Sequence, residues 1–456
     1  MALALEYQGH QWRPLALGSE KSMKRISGNS LLSLDCGEWK RVHATLEKRF
    51  DNFDKGNILS IGFGNKVTAG QVSKIGLAVI FHVNRKRNPR SKKRNIPSEV
   101  TIRLKQKSGR YALVTMPTDV QQVYHPKRGQ IDHDLKLPLG LNLAEWKRLH
   151  KTLHSRFKKT HGKTIRAVGL GPKRVKGQVR SYGVSVRLHV KKKCSQRRKK
   201  KHIPCFVSVR VRRRNKSFTT ILLPTDVEQV SPCIPTSSLM SVGNDIAGST
   251  GVPVSVNRSA GTIWGVQTVS HPFQRALRNS QDISVLIQGR GSGASVSTKL
   301  KYATTLPASN FDVAFLGSTK SDLVQANFIS ATPVTQAIVP EATLYHLANQ
   351  GGGGFLLPPS PSPAKSLTFR DYSLEFIFSN ARLKKIYNVI KYSGSRDTFV
   401  VHTSGSPVLT PSNSLAGMQI ATDNNGRFDI GYAQAAFAIA DLLDANLGPV
   451  NVYEAF

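Results

Sequence analysis

An internal repeat constrains the fold of this 456-residue chain more than any other feature. The hexapeptide Glu-Trp-Lys-Arg-Val-His at 38–43 recurs as Glu-Trp-Lys-Arg-Leu-His at 145–150. The tetrapeptide Pro-Thr-Asp-Val at 117–120 recurs at 224–227, and this pair has the same offset of 107 residues as the first. A constant offset over about 85 residues leaves no room for insertions. The chain therefore contains two copies of one structural unit.

Each copy begins with the pattern of an amphipathic helix. In the second copy apolar residues recur at steps of three and four, at Trp146, Leu149, Leu153 and Phe157. That spacing places them on one helical face. Asp35 precedes the first helix and Asn142 precedes the second, and both residue types favour the N-cap position. We predict that these two residues begin the two helices.

Strand-like segments follow each helix. The residues of 184–190, 207–211 and 100–104 alternate between apolar and polar, which is the period of a β-strand with one buried face. Each copy is therefore predicted to be a small α+β unit with one helix on an antiparallel sheet. We place the two units at 38–123 and 145–230.

The charge of the chain is concentrated in the half that contains the repeats. Residues 1–235 contain 51 Lys and Arg against 14 Asp and Glu, a difference of +37 in a chain whose net charge is +39. Residues 236–456 contain 15 against 13, a difference of +2. Such an asymmetry indicates a polyanionic partner for the front half.

Basic runs recur at equivalent places in the two copies. The residues predicted to contact the polyanion are Arg85, Lys86, Arg87, Lys191, Lys192, Lys193, Arg197, Arg198, Lys199, Lys200 and Lys201. Few aromatic residues lie near these runs and no base-reading motif is present, so binding independent of sequence is expected, to DNA, RNA or an acidic protein. The alternative is that these runs are only solvated loops.

Four cysteines, at positions 36, 194, 205 and 233, are irregularly spaced and form no Cys-x-x-Cys pair. This spacing argues against a zinc site or a disulfide framework, and we expect reduced thiols and a cytoplasmic location. Since the chain has no run of 18 apolar residues, we expect no membrane span. No cofactor or metal is expected.

The back half shows a different organisation. Residues 231–258 are rich in Ser, Pro, Gly and Val and are predicted to be a linker, followed by a β-rich domain at 259–456. Three segments of that domain carry candidate chemistry: 261–271 ends in His271, 310–316 contains one carboxylate, and 403–409 places a serine before small residues.

His271, Asp312 and Ser404 follow one another in the order found in peptidases of the chymotrypsin type. The segment Asp-Val-Ala at 312–314 and the segment Ser-Gly-Ser-Pro-Val at 404–408 resemble the motifs of the trypsin-like (chymotrypsin-fold) serine peptidases. The resemblance implies an all-β double-barrel domain that hydrolyses peptide bonds of a protein or peptide substrate through an acyl-enzyme.

The resemblance also assigns roles. Ser404 is the nucleophile, His271 its general base, and Asp312 the group that orients the imidazole. The oxyanion hole consists of the N–H groups of His402 and Ser404. The chain departs from the family here, because His402 and Thr403 stand where Gly-Asp is usual, and the geometry of the oxyanion hole is therefore in question.

The repeats resemble, more distantly, the region that precedes the peptidase domain in some bacterial trypsin-like proteins and in plant serine peptidases of the narrow-leaf type. Asp397, seven residues before Ser404, is a candidate for the specificity pocket or a plain surface residue. Two other interpretations stay open: a catalytically degenerate domain that serves as a nucleic-acid or protein binding platform, and a latent peptidase licensed by a partner of the repeats.

Overall fold

The structure is a computed structural model of the full chain. It describes residues 5–8, 11–14, 23–51, 53–54, 56–68, 71–86, 95–122, 139, 141–175, 178–193, 203–213, 217–231, 233–235, 248–249, 251–278, 283–287, 295–326, 343–346, 356–357, 365–378, 383–395, 398–399, 403–409, 415–423 and 427–451.

The first repeat, residues 36–122, is one helix followed by four strands. Its elements are α1 (Cys36–Phe50), β4 (Ile58–Thr68), β5 (Gln71–Val83), β6 (Glu99–Lys105) and β7 (Tyr111–Gln122). Three short strands and a 3-10 helix at Gly28–Ser33 precede the repeat; the strands are β1 (Leu5–Gln8), β2 (Gln11–Pro14) and β3 (Lys24–Ile26). Asp35 caps α1 as predicted: its carboxylate accepts a hydrogen bond from the N–H of Glu38, whose side chain bonds back to the N–H of Asp35.

The second repeat, residues 143–229, has the same elements in the same order. They are α2 (Leu143–His161), β8 (Ile165–Val175), β9 (Gln178–Val190), β10 (Phe206–Arg212) and β11 (Phe218–Gln229). Each strand begins and ends 107 residues after its counterpart in the first repeat. Asn142 forms the equivalent capping box with Glu145, which confirms the predicted N-cap.

The sheets of both repeats are mixed, so the prediction of antiparallel sheets was wrong. In the first repeat β5 pairs parallel with β7, with Val79 opposite Thr118. In the second repeat β9 pairs parallel with β11, with Val186 opposite Thr225. The remaining pairs of the two helix-and-sheet units are antiparallel hairpins. Alternation along a strand shows which face is buried, but it does not determine the direction of the neighbouring strand.

The two repeats pack against each other. The amide of Asn65 donates to the carbonyl of Leu222 at 2.8 Å, and its Oδ1 accepts from the N–H of the same residue at 3.1 Å. Trp39 of α1 packs edge-on against Phe206 of β10, with ring centroids 4.8 Å apart. A single hydrophobic core therefore spans the boundary between them.

A disulfide also joins the two repeats. Cys36, at the start of α1, is bonded to Cys205, just before β10, and their Cα atoms are 5.6 Å apart. The expectation of reduced thiols was wrong for this pair. Irregular spacing in sequence did not reveal it, because the two residues become neighbours only when one repeat packs on the other. Cys194 lies outside the described residues.

The back half contains two sheets. The first has the order β13-β20-β16-β17-β18-β15-β14-β26. Its strands, and the short helices α3 and α4, are β13 (Gly248–Ser249), β14 (Pro253–Arg258), β15 (Gly261–Thr268), α3 (Gln274–Arg278), β16 (Ser284–Ile287), β17 (Val296–Ala303), β18 (Ala314–Ser318), α4 (Lys320–Gln325), β20 (Leu356–Leu357) and β26 (Val450–Asn451).

The second sheet of the back half closes into a six-stranded antiparallel barrel. Its ring runs β21-β19-β23-β24-β25-β22 and returns to β21. The strands of the ring are β19 (Thr343–His346), β21 (Lys365–Ile377), β22 (Lys385–Ser393), β23 (Pro407–Leu409), β24 (Leu415–Asp423) and β25 (Ile430–Ala435). A further strand, β12 (Cys233–Pro235), pairs with β24, and the C-terminal helix is α5 (Ala436–Leu447). Closure removes the two exposed edges that an open sheet presents.

The sheet of the second repeat continues into this barrel. β8 pairs antiparallel with β21, with Leu170 opposite Tyr372 and Gly169 opposite Ser373. The core of the second repeat is correspondingly shared with barrel residues. The segment 231–258, predicted to be a linker, contains β12, β13 and β14. Because one sheet runs through both regions, the division into separate domains stays a prediction.

The chain is rich in β-strand, as the sequence predicts, while the chymotrypsin-like double barrel stays a prediction, since the pairings of the first back-half sheet form no closed ring among the described strands. Within the part of the chain that is described, no helix is both long and apolar enough to cross a membrane.

Candidate active site

His271 and Asp312 meet at the end of β15. His271 lies in a 3-10 turn, His271–Phe273, and Asp312 lies in the loop that enters β18. β15 and β18 are adjacent antiparallel strands, with Thr268 opposite Ala314. This pairing brings the imidazole Nδ1 within 2.6 Å of the Asp312 Oδ2 atom, and both side chains are completely buried.

The second oxygen of Asp312 is held by three donors. The N–H groups of Ser270 and His271 donate to Asp312 Oδ1 at 2.8 and 2.9 Å, and the Ser270 hydroxyl donates to the same atom at 3.0 Å. Ser270 Oγ also lies 2.8 Å from the hydroxyl of Thr304. The carboxylate is therefore fixed in one orientation, which leaves Oδ2 directed at the imidazole.

Gln434 fastens this loop to the barrel. Its Oε1 accepts from the N–H of Asp312 at 3.1 Å, and its Nε2 donates to the carbonyl of Tyr387 at 3.1 Å. The backbone of Tyr387 in turn donates to the carbonyl of Asn310 at 2.9 Å. Gln434 is completely buried on β25, so its amide joins the Asp312 loop of one sheet to two strands of the other.

Ser404 lies in a tight turn before β23. Gly405, the next residue, has a φ of +94°, a conformation that favours glycine. The turn is supported from β24, since the N–H of Gly405 donates to the carbonyl of Gln419 at 2.9 Å and the Ser404 hydroxyl lies 3.4 Å from the carbonyl of Ile420. Met418 of β24 is opposite Gln434 of the next strand, β25, so the Ser404 turn and the Asp312 loop contact neighbouring strands.

The predicted site residues fall into two groups. His271 and Asp312 are in direct contact, and Ser404 lies on the adjoining barrel, while His402 and Asp397 lie outside the described residues. Of the predicted polyanion-binding residues, those that are described all have exposed side chains and follow equivalent strands: Arg85 and Lys86 after β5, and Lys191, Lys192 and Lys193 after β9. The remainder, Arg87 and Arg197 to Lys201, lie outside.

Ser404 and His271 have no solvent-exposed surface, and neither does Asp312. A polypeptide substrate has to bring its carbonyl carbon into contact with Ser404 Oγ. In this arrangement the three side chains are closed to a substrate.

A buried cluster of charges, absent from the sequence predictions, lies where the second repeat joins the barrel. Arg187 Nε donates to Asp371 of β21 at 3.0 Å, and its other nitrogens bond Asp226 and Glu228 of β11. His189 Nε2 lies 2.9 Å from Asp371, and Lys391 of β22 lies 3.2 Å from Glu228. The sequence did contain a signal for this cluster, which is a difference between the two copies: the first repeat has Ile80 at the position of Arg187.

Neighbouring cations keep the carboxylates of this cluster ionised. Burial alone raises the pKa of Asp371, but His189 and Arg187 outweigh it and hold that pKa below its usual value. In the same way burial raises the pKa of Glu228, while Lys391 and Arg187 hold it well below its usual value. His189, Glu228 and Asp371 have the residue types of a metal site. Arg187 already bonds both carboxylates, and Lys391 bonds Glu228. These cations rather than a metal ion therefore balance the negative charge of the two carboxylates.

No family model and no curated protein matches the chain. Among solved structures, the active form of the Rv3671c protease from M. tuberculosis is 16% identical over 44% of this chain and 81% of its own, with a TM-score of 0.29. The MamO protease domain from Magnetospirillum magneticum is 17% identical over 42% and 95%, with a TM-score of 0.27.

A third solved structure, a Glu endopeptidase in complex with MPD, is 12% identical over 47% of this chain and 96% of its own, with a TM-score of 0.26. All three neighbours are proteases. At such low identities and TM-scores, the likeness assigns no function to this chain.

Proposed function

We propose that the back half is a serine endopeptidase. The observation that carries this proposal is the buried contact of His271 Nδ1 with Asp312, at 2.6 Å, together with the three hydrogen bonds that orient the carboxylate. An imidazole held in this way has its Nδ1 proton fixed, which leaves Nε2 as the basic nitrogen. A serine on a glycine turn of the adjoining barrel supplies the nucleophile.

The reaction then proceeds in two halves. Ser404 Oγ attacks the carbonyl carbon of the scissile bond while its proton passes to His271 Nε2, and the N–H of Ser404 faces the developing oxyanion. The C–N bond breaks, the amine leaves with the proton from His271, and the acyl group stays on Ser404. Water repeats the sequence and releases the acid. No metal or cofactor takes part in these steps.

The test is covalent labelling of the full-length protein with a fluorescent phosphonate directed at serine peptidases. We expect labelling of the wild type and none of Ser404→Ala or His271→Ala. Ser406→Ala is the matched control, because the Ser406 hydroxyl lies two residues away, is buried, and has no hydrogen-bond partner among the described residues. Equal labelling of wild type and Ser404→Ala would show that another residue reacts, and the proposal would fail.

A catalytically degenerate platform and a latent peptidase make different predictions in the same assay. A degenerate domain stays unlabelled under every condition. A latent peptidase becomes labelled once its covering chain moves, so we expect the rate of labelling to rise when a ligand of the repeats is added. The complete burial of Ser404 and His271 favours the second outcome.

We also propose that the front half binds a polyanion. The observation in favour is the excess of 51 basic over 14 acidic residues in 1–235, with Lys191, Lys192 and Lys193 exposed after β9. A surface that contacts six to ten phosphates should lose affinity by about 10³–10⁵ between about 50 and 200 mM salt. The full chain is the proper sample, because an isolated front half would expose the edge of β8 and leave Arg187 without Asp371.

A further inference from the structure

The two most exposed aromatic side chains of the described residues occupy equivalent positions in the two repeats. Tyr111, at the start of β7, is 42% exposed, and Phe218, at the start of β11, is 54% exposed. They are separated by 107 residues. Among the aromatic residues whose side-chain burial the structure describes, no other ring is exposed. A single exposed ring needs no explanation, but the same exposure at the same place in both copies indicates a common use.

Each ring is accompanied by two basic side chains. The guanidinium of Arg103 lies over the ring of Tyr111 at 4.1 Å, and that of Arg210 lies over Phe218, also at 4.1 Å. Directly across the hairpin, Lys105 is opposite Tyr111 and Arg212 is opposite Phe218. All four basic side chains are exposed. We call the two trios the aromatic–basic patches: Arg103, Lys105 and Tyr111 in the first repeat, and Arg210, Arg212 and Phe218 in the second.

The patches lie on the solvent side of the β6–β7 and β10–β11 hairpins. The alternate residues of β6, Val100, Ile102 and Leu104, are buried in the core beneath α1, so Arg103 and Lys105 point away from it. Arginines of the preceding helices also bond the outer carbonyl groups of the same strands. Arg49 donates to Thr101 at 2.8 Å, and Arg156 donates to Ser208 at 2.9 Å.

These arginine contacts restrict the kind of partner. A peptide that adds a strand to a sheet needs free backbone groups at the edge. On β6 the carbonyls of Thr101 and Lys105 are already bonded, the second by Arg41 at 3.1 Å. A partner would therefore bind to the face of the hairpin rather than to its edge. An acidic protein could pair with the basic side chains, whereas a nucleic-acid strand would use the basic side chains for its phosphates and the rings for its bases.

We propose that the aromatic–basic patches are stacking sites for single-stranded nucleic acid. Unpaired bases stack on aromatic rings and on guanidinium planes, while neighbouring cations contact the phosphates. The inference rests on the proposed polyanion binding by the front half and adds to it the class of partner. Two equivalent patches on one chain provide two stacking points along a strand. Stacking does not depend on the sugar, so RNA and DNA should both bind.

The experiment measures fluorescence anisotropy of labelled oligo(U) and oligo(dT) of about 20 nucleotides, a length that covers one or more single-strand sites, with a duplex of equal length and heparin as comparisons. The sample is the full chain. We expect the single strands to bind more tightly than the duplex. The double variant Tyr111→Ala/Phe218→Ala should bind single strands at least tenfold more weakly, because the loss of each ring should weaken binding about fivefold or more, and it should bind heparin unchanged.

The salt dependence separates stacking from charge. Losing the rings should leave the slope of log affinity against log salt unchanged, whereas Arg103→Gln/Arg210→Gln should reduce it by about 1.4 for single strands. Tyr111→Phe/Phe218→Tyr retains both rings and should bind like the wild type. Leu286→Ala/Val324→Ala, which truncates two exposed apolar side chains of the back half, is the matched control for general surface changes.

The outcomes distinguish this inference from the function on which it rests. If no polyanion binds at about 150 mM salt, the proposed polyanion binding fails and this inference fails with it. If single strands, duplex and heparin all bind and the ring variants bind as tightly as the wild type, polyanion binding stands and the stacking sites are refuted. A binding loss that Tyr111→Phe/Phe218→Tyr shares would also refute them, since that variant keeps the rings.

Discussion

The two repeats share their helix, their strands and their strand pairing, but they have different neighbours. In the first repeat the surface made by β4 and β5 lies against β9 and β11 of the second. In the second repeat β8 pairs with β21, and the sheet passes into the barrel. The same local fold therefore serves once as a terminal unit and once as a connection between the front half and the candidate peptidase.

The sequence differences between the copies concentrate at that connection. Ile80 of the first repeat corresponds to Arg187 of the second, and Gln121 corresponds to Glu228. His82 is buried beside Ser60, whereas its counterpart His189 contacts Asp371 of the barrel. A buried charge is stable only with a partner. The second repeat therefore carries charges where the barrel supplies charges of opposite sign.

The largest expected effect is on the charge cluster. Asp371→Ala should lower the free energy of unfolding by about 3–5 kcal/mol, because it leaves Arg187 and His189 buried without that carboxylate. The comparison in the first repeat is Asp119→Ala, the counterpart of the cluster residue Asp226; among the described residues its carboxylate accepts from Val67 N–H and the Gln121 amide, and the change should cost about 1–3 kcal/mol. Urea denaturation of the full chain measures both. Equal costs would remove the distinction between the repeats.

The next effect is a dependence of stability on pH. Burial lowers the pKa of His82, and also of His150, to about 4. The unfolded chain binds a proton at each near pH 6.5 while the folded protein does not, so stability is lost as the pH falls from about 6.5 toward 4. By pH 4 each histidine should have lowered the free energy of unfolding by about 3 kcal/mol. Asp371 and Glu228 have lowered pKa values and should add their loss only below about pH 4.

The variant that tests this is His82→Gln, with unfolding followed at a series of pH values. In this variant the free energy of unfolding should depend less steeply on pH between pH 4 and 6.5, by the equivalent of about one proton. The loss of stability below pH 4 should remain. If the profile keeps its full slope in that window, the burial of His82 does not control the acid sensitivity of the first repeat.

A glycine pair gives a smaller and sharper test. Gly171 of β8 and Gly64 of β4 are equivalent positions. A Cβ added at Gly171 would collide with the carbonyl oxygen of Arg370 and would lie 2.9 Å from Asp371 Cβ, whereas one added at Gly64 would lie 3.7 Å from Ile80 Cγ1. Gly171→Ala should therefore cost about 1–3 kcal/mol, and Gly64→Ala should be neutral or slightly stabilising. Thermal unfolding of the two variants compares them directly, and equal midpoints would count against the close approach of β8 to β21.

The smallest effect is expected where the repeats do not differ. Asp35→Ala and Asn142→Ala each remove the hydrogen bond to the first helical turn, at 2.8 and 2.9 Å, and each should cost about 1 kcal/mol. Asp35 also pairs with the exposed Lys107, so high salt should bring the two values together. A large difference that persists in high salt would mean that the two helices are not equivalent.

The sequence was sufficient for features that depend on local chemistry. The offset of 107 residues located both units, and Asp35 and Asn142 marked the starts of their helices. Strands in the segments around Val184 and Val100 followed from their alternation. The order of His271, Asp312 and Ser404 singled out candidates of which the first two are in contact. Helix capping, strand alternation and short motifs each involve residues close together in the chain, so they can be recognised from a single sequence.

Only the tertiary structure decided how these parts combine. Nothing in a strand's own alternation shows that β5 runs parallel to β7 or that β8 pairs with β21, because both depend on where the chain returns after long connections. Cys36 and Cys205 are paired, and Gln434 reaches Asp312, for the same reason: 169 residues separate the first pair and 122 the second. Local chemistry determined the elements of this protein, and long-range packing determined which charged and polar side chains became partners.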